Sequence, residues 1–389
     1  MPDTLIALVL GAMVLMASLL SVELAVSVSI IEIVLGVIAG NALGLEPTPW
    51  VEHLAGLGSM VLTFLAGAEV KVEAMRARIK ESLLIGGLSF IGPFLGSWLF
   101  SFYVLGWSQP ASLIAGVALS TTSLAVVYAV LVETGLSSSA IGQVIMASCF
   151  VTDFGTALAP NVIFAKMSWK TLLFLALSAF AILGLPRLAR GLFRRYSQQV
   201  VEPEAKVLLL ALAFFMFLGA FSGSHAVLPV FVFGLSVSQT FDQYPDVQRK
   251  LRIMAFAILT PVFFIKAGLN VSVSDLYAAI IPLLAFLTIK LVTKAVCVYP
   301  VARRYVPQDA VFTTLLMSTG LTFGTISSMY GLSAGIIDRG QFSILVTVVI
   351  LSAILPTLVA QRWFMPEAAT SVGGRGQPNT QAPPVSAGQ

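Results

Sequence analysis

Apolar residues in this chain come in long unbroken stretches, unlike the two-residue alternation of half-buried strands or the one-sided stripes of soluble helices. Divided wherever charges, prolines and glycines cluster, the sequence gives thirteen runs: 4–21, 25–44, 53–70, 82–105, 110–132, 139–165, 171–187, 206–222, 226–239, 251–269, 274–301, 310–330 and 340–361. Most approach the ~20 apolar residues that an α-helix needs to cross a bilayer. The pattern predicts an all-α polytopic membrane protein with about thirteen transmembrane helices. The ninth run is the shortest and opens on the Gly223 to Pro229 stretch.

Composition agrees. Of 389 residues, 58% are hydrophobic and 10% charged, and the mean hydropathy is +0.95, whereas a soluble domain carries about a quarter charged residues. A soluble fold of this size cannot hide so much apolar surface, so residues 1–364 are expected to form one membrane domain in a lipid bilayer. Residues 365–389 are rich in Gly, Pro, Ser, Gln and Ala and read as a disordered cytoplasmic tail. Asp3 and the lack of Lys or Arg before the first run argue that this run stays as a helix and is not a cleaved signal. Cys149 and Cys297 lie inside apolar runs, which argues against a disulfide framework or a thiolate metal site. His53 and His225 sit at run ends with no third ligand at metal-like spacing. No cofactor is expected.

The net charge of +4 does not point to nucleic acid, because the basic residues sit in short loops between runs. One set of alternate loops holds Lys71, Arg76, Arg78, Lys80, Arg187, Arg190, Arg194, Arg195, Lys206, Arg249, Lys250, Arg252, Arg303, Arg304 and Arg362. The other holds Lys166, Lys170 and Arg339. Cytoplasmic loops are enriched in Lys and Arg. The expected topology is therefore multi-pass in the cell (plasma or inner) membrane, with the N-terminus outside and the C-terminus in the cytoplasm.

Six runs, a connecting seventh at 171–187 and six more suit an inverted repeat, about 4–165 and about 206–361, because an odd connector flips the second half. The fifth and twelfth runs occupy corresponding places, and both are interrupted by small polar residues. Ser120, Thr121, Thr122 and Ser123 break the first; Ser318, Thr319, Gly320, Thr322 and Gly324 break the second. Such residues also serve close helix packing. As a matched pair they point to crossed discontinuous helices around a transport site.

Most acidic residues fall at run ends, where the interface solvates them; Glu69 is one of these. Asp153 stands about fourteen residues into the sixth run, near mid-membrane. A charge there costs roughly 3 kcal/mol or more unless paired or hydrated, which makes it a candidate functional residue. Lys290 and Lys294 lie one turn apart on one face of the eleventh run, Lys290 being the more central. A deep Asp in one half and a deep Lys in the other are natural counter-charges. Lys294 is read as snorkelling to the cytoplasmic interface. Lys266, among Phe263, Phe264 and Ile265, could also snorkel. Glu32, followed by Gly36 and Gly40 at helical spacing, is either structural or part of a cytoplasmic funnel.

These residues resemble the monovalent cation:proton antiporter superfamily, specifically its thirteen-helix bacterial sodium/proton antiporters. The likeness runs from Ser27 to about Ala360 and is carried by Ile31-Glu32 to Gly40, Leu54 to Glu69, Ala118 to Val127, Thr152-Asp153, Pro261 to Gly268 and Ser318 to Gly324. It implies a homodimer whose protomers each have a dimerisation domain and a core domain that moves like an elevator. It implies exchange of Na+, Li+ or K+ for H+, serving ion transport and pH homeostasis. Asp153 matches the cation-binding aspartate, and Lys290 matches the family lysine, with Lys294 as the fallback. Thr152 departs from the family pattern, in which electrogenic members carry two consecutive aspartates and electroneutral members Asn-Asp. One carboxylate fewer suggests one cation for one proton, with Thr152 either donating its hydroxyl to Asp153 or ligating the cation.

Other readings are a potassium/proton exchanger and a cation-coupled organic-anion symporter of related architecture. An enzyme is disfavoured, since neither His is deep and Asp153 has no facing carboxylate. A channel lacks the rings of charge or carbonyl filter it would need.

Overall fold

The computed structural model describes residues 3–24, 27–70, 78–134, 136–137, 139–163, 169–196, 203–222 and 226–366. The expected tail from residue 367 on, the loop with Lys71 and Arg76, and Lys166 and His225 lie outside the described residues. Among the described residues all regular structure is helical. The first four helices are α1 (Asp3–Leu24), α2 (Val28–Ala42), α3 (Pro49–Ala68) and α4 (Ile79–Tyr103). The fifth run divides into α5 (Gln109–Ser120) and α6 (Leu124–Glu133), and then come α7 (Ala140–Ile163), α8 (Trp169–Tyr196), α9 (Pro203–Ser222) and α10 (Val227–Gln243). The tenth run is α11 (Pro245–Met254), a π-helical turn at Ala255–Leu259 and α12 (Thr260–Leu269). A short α13 (Val273–Ala278) precedes α14 (Ile280–Tyr305). The twelfth run divides into α15 (Ala310–Met317) and α16 (Thr322–Ser333), and α17 (Arg339–Trp363) ends the series.

Among the described residues ten spans are long and apolar enough to cross a membrane, and Val28–Ala42, Trp169–Leu185 and Val227–Phe241 are shorter apolar helices. Together they match the thirteen runs one for one. Local chemistry explains several ends. Ser108 accepts the amide of Ala111 at the start of α5, and Asp338 with Gln341 forms a capping box on α17. Gly335, with φ +65, makes the turn before it.

The helices pack as two bundles. One contains α4, α5, α6, α7 and α14 to α17; the other contains α1 to α3 and α8 to α12. Each six-run half thus gives its first three runs to one bundle and its last three to the other. The second bundle is held by two related contacts, α2 on α12 and α3 on α10. At the first, Gly36 lies against the carbonyl of Ile265 and Gly268 against that of Ile33. At the second, Gly67 lies against the carbonyl of Phe231 and Gly234 against that of Phe64. A side chain at any of the four would collide with backbone, so these glycines let helix axes approach closely. Between the bundles, Phe231 of α10 contacts Phe154 of α7 at 6.3 Å and Phe323 of α16 at 6.1 Å.

Candidate functional site

The two helix breaks meet inside the first bundle. Residues 121–123 leave the helix between α5 and α6, and residues 318–321 do so between α15 and α16. Two hydrogen bonds join them: Thr122 donates its hydroxyl to the carbonyl of Met317 at 3.0 Å, and the Ser123 amide donates to Thr319 Oγ1 at 3.4 Å. Gly320 closes the crossing, because a Cβ there would meet Thr121 Oγ1 at 2.9 Å and also the Lys290 amine. The remaining hydroxyls bond within their own helices: Ser120 to Val117 O, Thr121 to Ala118 O, Ser318 to Thr314 O and Thr319 to Leu316 O. Ser123 accepts the amide of Val126 at the start of α6, and Thr322 opens α16.

Asp153 of α7 is 1% exposed, and its Oδ1 has no hydrogen-bond partner. One turn earlier, Cys149 Sγ lies 3.9 Å from Met317 Sδ. That turn therefore faces the second break. Thr152 does not hold Asp153, contrary to one expectation: its hydroxyl donates to the Cys149 carbonyl at 2.7 Å. A threonine in a helix interior commonly bonds back to the preceding turn in this way.

Both lysines of α14 are fully buried. The expectation that Lys294 snorkels to the interface is overturned. Its Nζ donates to Ser89 Oγ at 2.7 Å, Thr122 Oγ1 at 3.0 Å and the Thr121 carbonyl at 3.3 Å. All three donors of the ammonium are used. Lys294 and the Asp153 region of α7 converge on Met317, whose carbonyl accepts from both hydroxyls that hold the ammonium and whose Sδ lies against Cys149, one turn before Asp153. Lys290 is the expected counter-charge, yet its Nζ has no hydrogen-bond partner and rests against Gly320.

This arrangement also balances the half-helix ends. The carbonyl ends of α5 and α15 carry partial negative charge. Lys294 meets the first directly at Thr121 and the second through hydroxyls, since Ser89 and Thr122 both donate to Met317 O, at 3.4 and 3.0 Å. Ser89 is not among the expected site residues. Its signal is the row of serines at 82, 89, 97 and 101, all on the buried side of α4.

Glu32 and Glu69 lie outside the crossing. Glu32 is 1% exposed on α2, with Oε2 unpartnered. Glu69 caps α3 and pairs with Arg252 of α11 at 3.6 Å. Lys266 pairs with Glu52 at 3.3 Å and does not reach out alone.

Comparison with known proteins places this architecture. Residues 5–365 match the family model described as sodium/hydrogen exchanger, transmembrane. The chain is 24% identical over 360 residues to the probable Na(+)/H(+) antiporter 3 of Methanocaldococcus jannaschii, covering 87% of this chain and 90% of that protein. It is 24% identical over 366 residues to the Na(+)/H(+)-K(+) antiporter GerN of Bacillus cereus, covering 88% and 92%. The solved structure of the sodium proton antiporter MjNhaP1 from Methanocaldococcus jannaschii at pH 8 superposes with a TM-score of 0.68 at 14% identity, covering 94% of this chain and 100% of that one. With the family model spanning almost the whole chain, this protein belongs to the transmembrane sodium/hydrogen exchanger family.

Proposed function

We propose that the protein is a secondary antiporter that exchanges Na+, or another small monovalent cation, for H+ by alternating access. Asp153 binds cation and proton in competition. The observation that carries this reading is a buried carboxylate with an unpartnered oxygen, beside two crossed helix breaks and a tethered ammonium. A carboxylate in that position gains from either a proton or a dehydrated cation, and one excludes the other. The names of the relatives support the same chemistry.

Lys294 is the operative lysine in this reading, because its ammonium reaches the broken helices beside Asp153. Thr152 retains lone pairs with which to ligate the cation. With one carboxylate, exchange is one for one and electroneutral. The bundle of α4 to α7 and α14 to α17 is the moving core, and the glycine-packed bundle is the scaffold through which two protomers pair. The protein sits in the cell membrane with its C-terminus in the cytoplasm. Potassium is the second reading, favoured by the name of the Bacillus cereus relative.

Vesicles holding the purified protein and a pH-sensitive dye test the proposal. Na+, Li+ or K+ is expected to move protons in wild type and to leave Asp153→Asn silent. An unchanged response in the variant would sink the role of Asp153. Proton movement driven by voltage alone would refute electroneutrality.

A further inference from the structure

The Lys294 ammonium is held by three oxygens from two parts of the first bundle. Ser89 comes from α4, and Thr121 and Thr122 come from the break after α5. Ser89 and Thr122 are matched: each accepts from the ammonium and donates its own proton to Met317 O. A cluster of oxygens around a buried positive charge is also what a dehydrated monovalent cation requires. Lys290, one turn away on the same helix, makes no such hydrogen bonds. The cluster is specific to Lys294.

We propose that Ser89 is a positioning residue for exchange. With Thr121 and Thr122 it builds an oxygen seat for the Lys294 ammonium beside Asp153, and the transported cation binds when that ammonium stays in its seat and leaves the carboxylate free. This rests on the exchange reading above. If the seat is weakened, the carboxylate becomes the ammonium's best remaining partner, and the tethered charge competes with the cation.

The seat predicts a change in apparent affinity and not only in the amount of folded protein. In the dye assay, with whichever of Na+, Li+ and K+ gives the largest wild-type response, Ser89→Ala is expected to raise the apparent KM roughly tenfold, the scale of one hydrogen bond to a charged group. Ser89→Thr keeps the hydroxyl and is expected to restore the wild-type KM. Should Ser89→Ala fail to fold, Ser89→Cys keeps the volume with a weaker acceptor and is expected to raise KM in the same direction. A wild-type KM in the folded variant that lacks the hydroxyl overturns the seat. A wild type silent to all three cations overturns instead the exchange reading on which the seat rests.

Discussion

Two interfaces in this molecule are built by opposite rules. Where α2 meets α12 and α3 meets α10, glycine lies against backbone, and the two contacts repeat each other across the halves of the chain. Where the two helix breaks meet, hydroxyls, carbonyls and an ammonium face one another, and the halves differ: one supplies Asp153, the other Lys294. Dispersion between close backbones has one best geometry, so the first interface makes a rigid body. The second has polar groups whose partners can be exchanged. The glycine contacts repeat between the halves, and the polar crossing is where the halves part.

The largest expected effect is on the rigid side. A Cβ at Gly268 meets Ile33 O and lies 2.8 Å from Gly36 Cα, whereas nothing stands within 4 Å of one at Gly11. Gly268→Val should cost about 3 kcal/mol by overpacking, and Gly11→Val should be nearly neutral. Yield of monodisperse protein and its melting temperature in detergent compare them. Equal behaviour of the two variants would break the claim that the glycine contacts set the scaffold.

Next comes the pair of lysines. Lys294→Ala strips the charged partner from Ser89, Thr122 and Thr121, and the dye response should fall to near background. Lys290→Ala removes no hydrogen bond of that amine and should cause a smaller loss. The reverse order would return the counter-charge role to Lys290.

Much of this architecture is legible in the sequence. A spanning helix must be long and apolar, so run length alone yields the thirteen segments. The breaks are legible because Ser, Thr and Gly at matched depths offer the backbone an alternative to helix. The fate of Lys294 is not. Helical spacing fixes the face on which a side chain lies but not where its long stem carries the charge, and that depends on acceptors far off in the chain. Ser89 is 205 residues away. Thr152 escapes the sequence for a related reason, since its hydroxyl finds a carbonyl one turn back in place of Asp153.

The smallest expected effect lies where the two bundles are tied. Arg339, at the exposed start of α17, donates to the carbonyls of Leu269 and Asn270 at 3.0 and 3.1 Å, at the end of α12. A cation at a helix C-terminus contributes roughly 0.3–1 kcal/mol at an exposed site. The residues just after that end are held from the scaffold side by Asn41, which donates to Val271 O at 2.8 Å and accepts from Val273 N at 3.0 Å. Arg339→Ala should therefore lower the melting temperature only slightly and leave the apparent KM for the cation unchanged, because neither Asp153 nor the Lys294 seat touches this tie. A destabilisation as large as that of Gly268→Val would mean that the bundles share one rigid packing, and the proposal of a fixed scaffold and a movable core would fail with it.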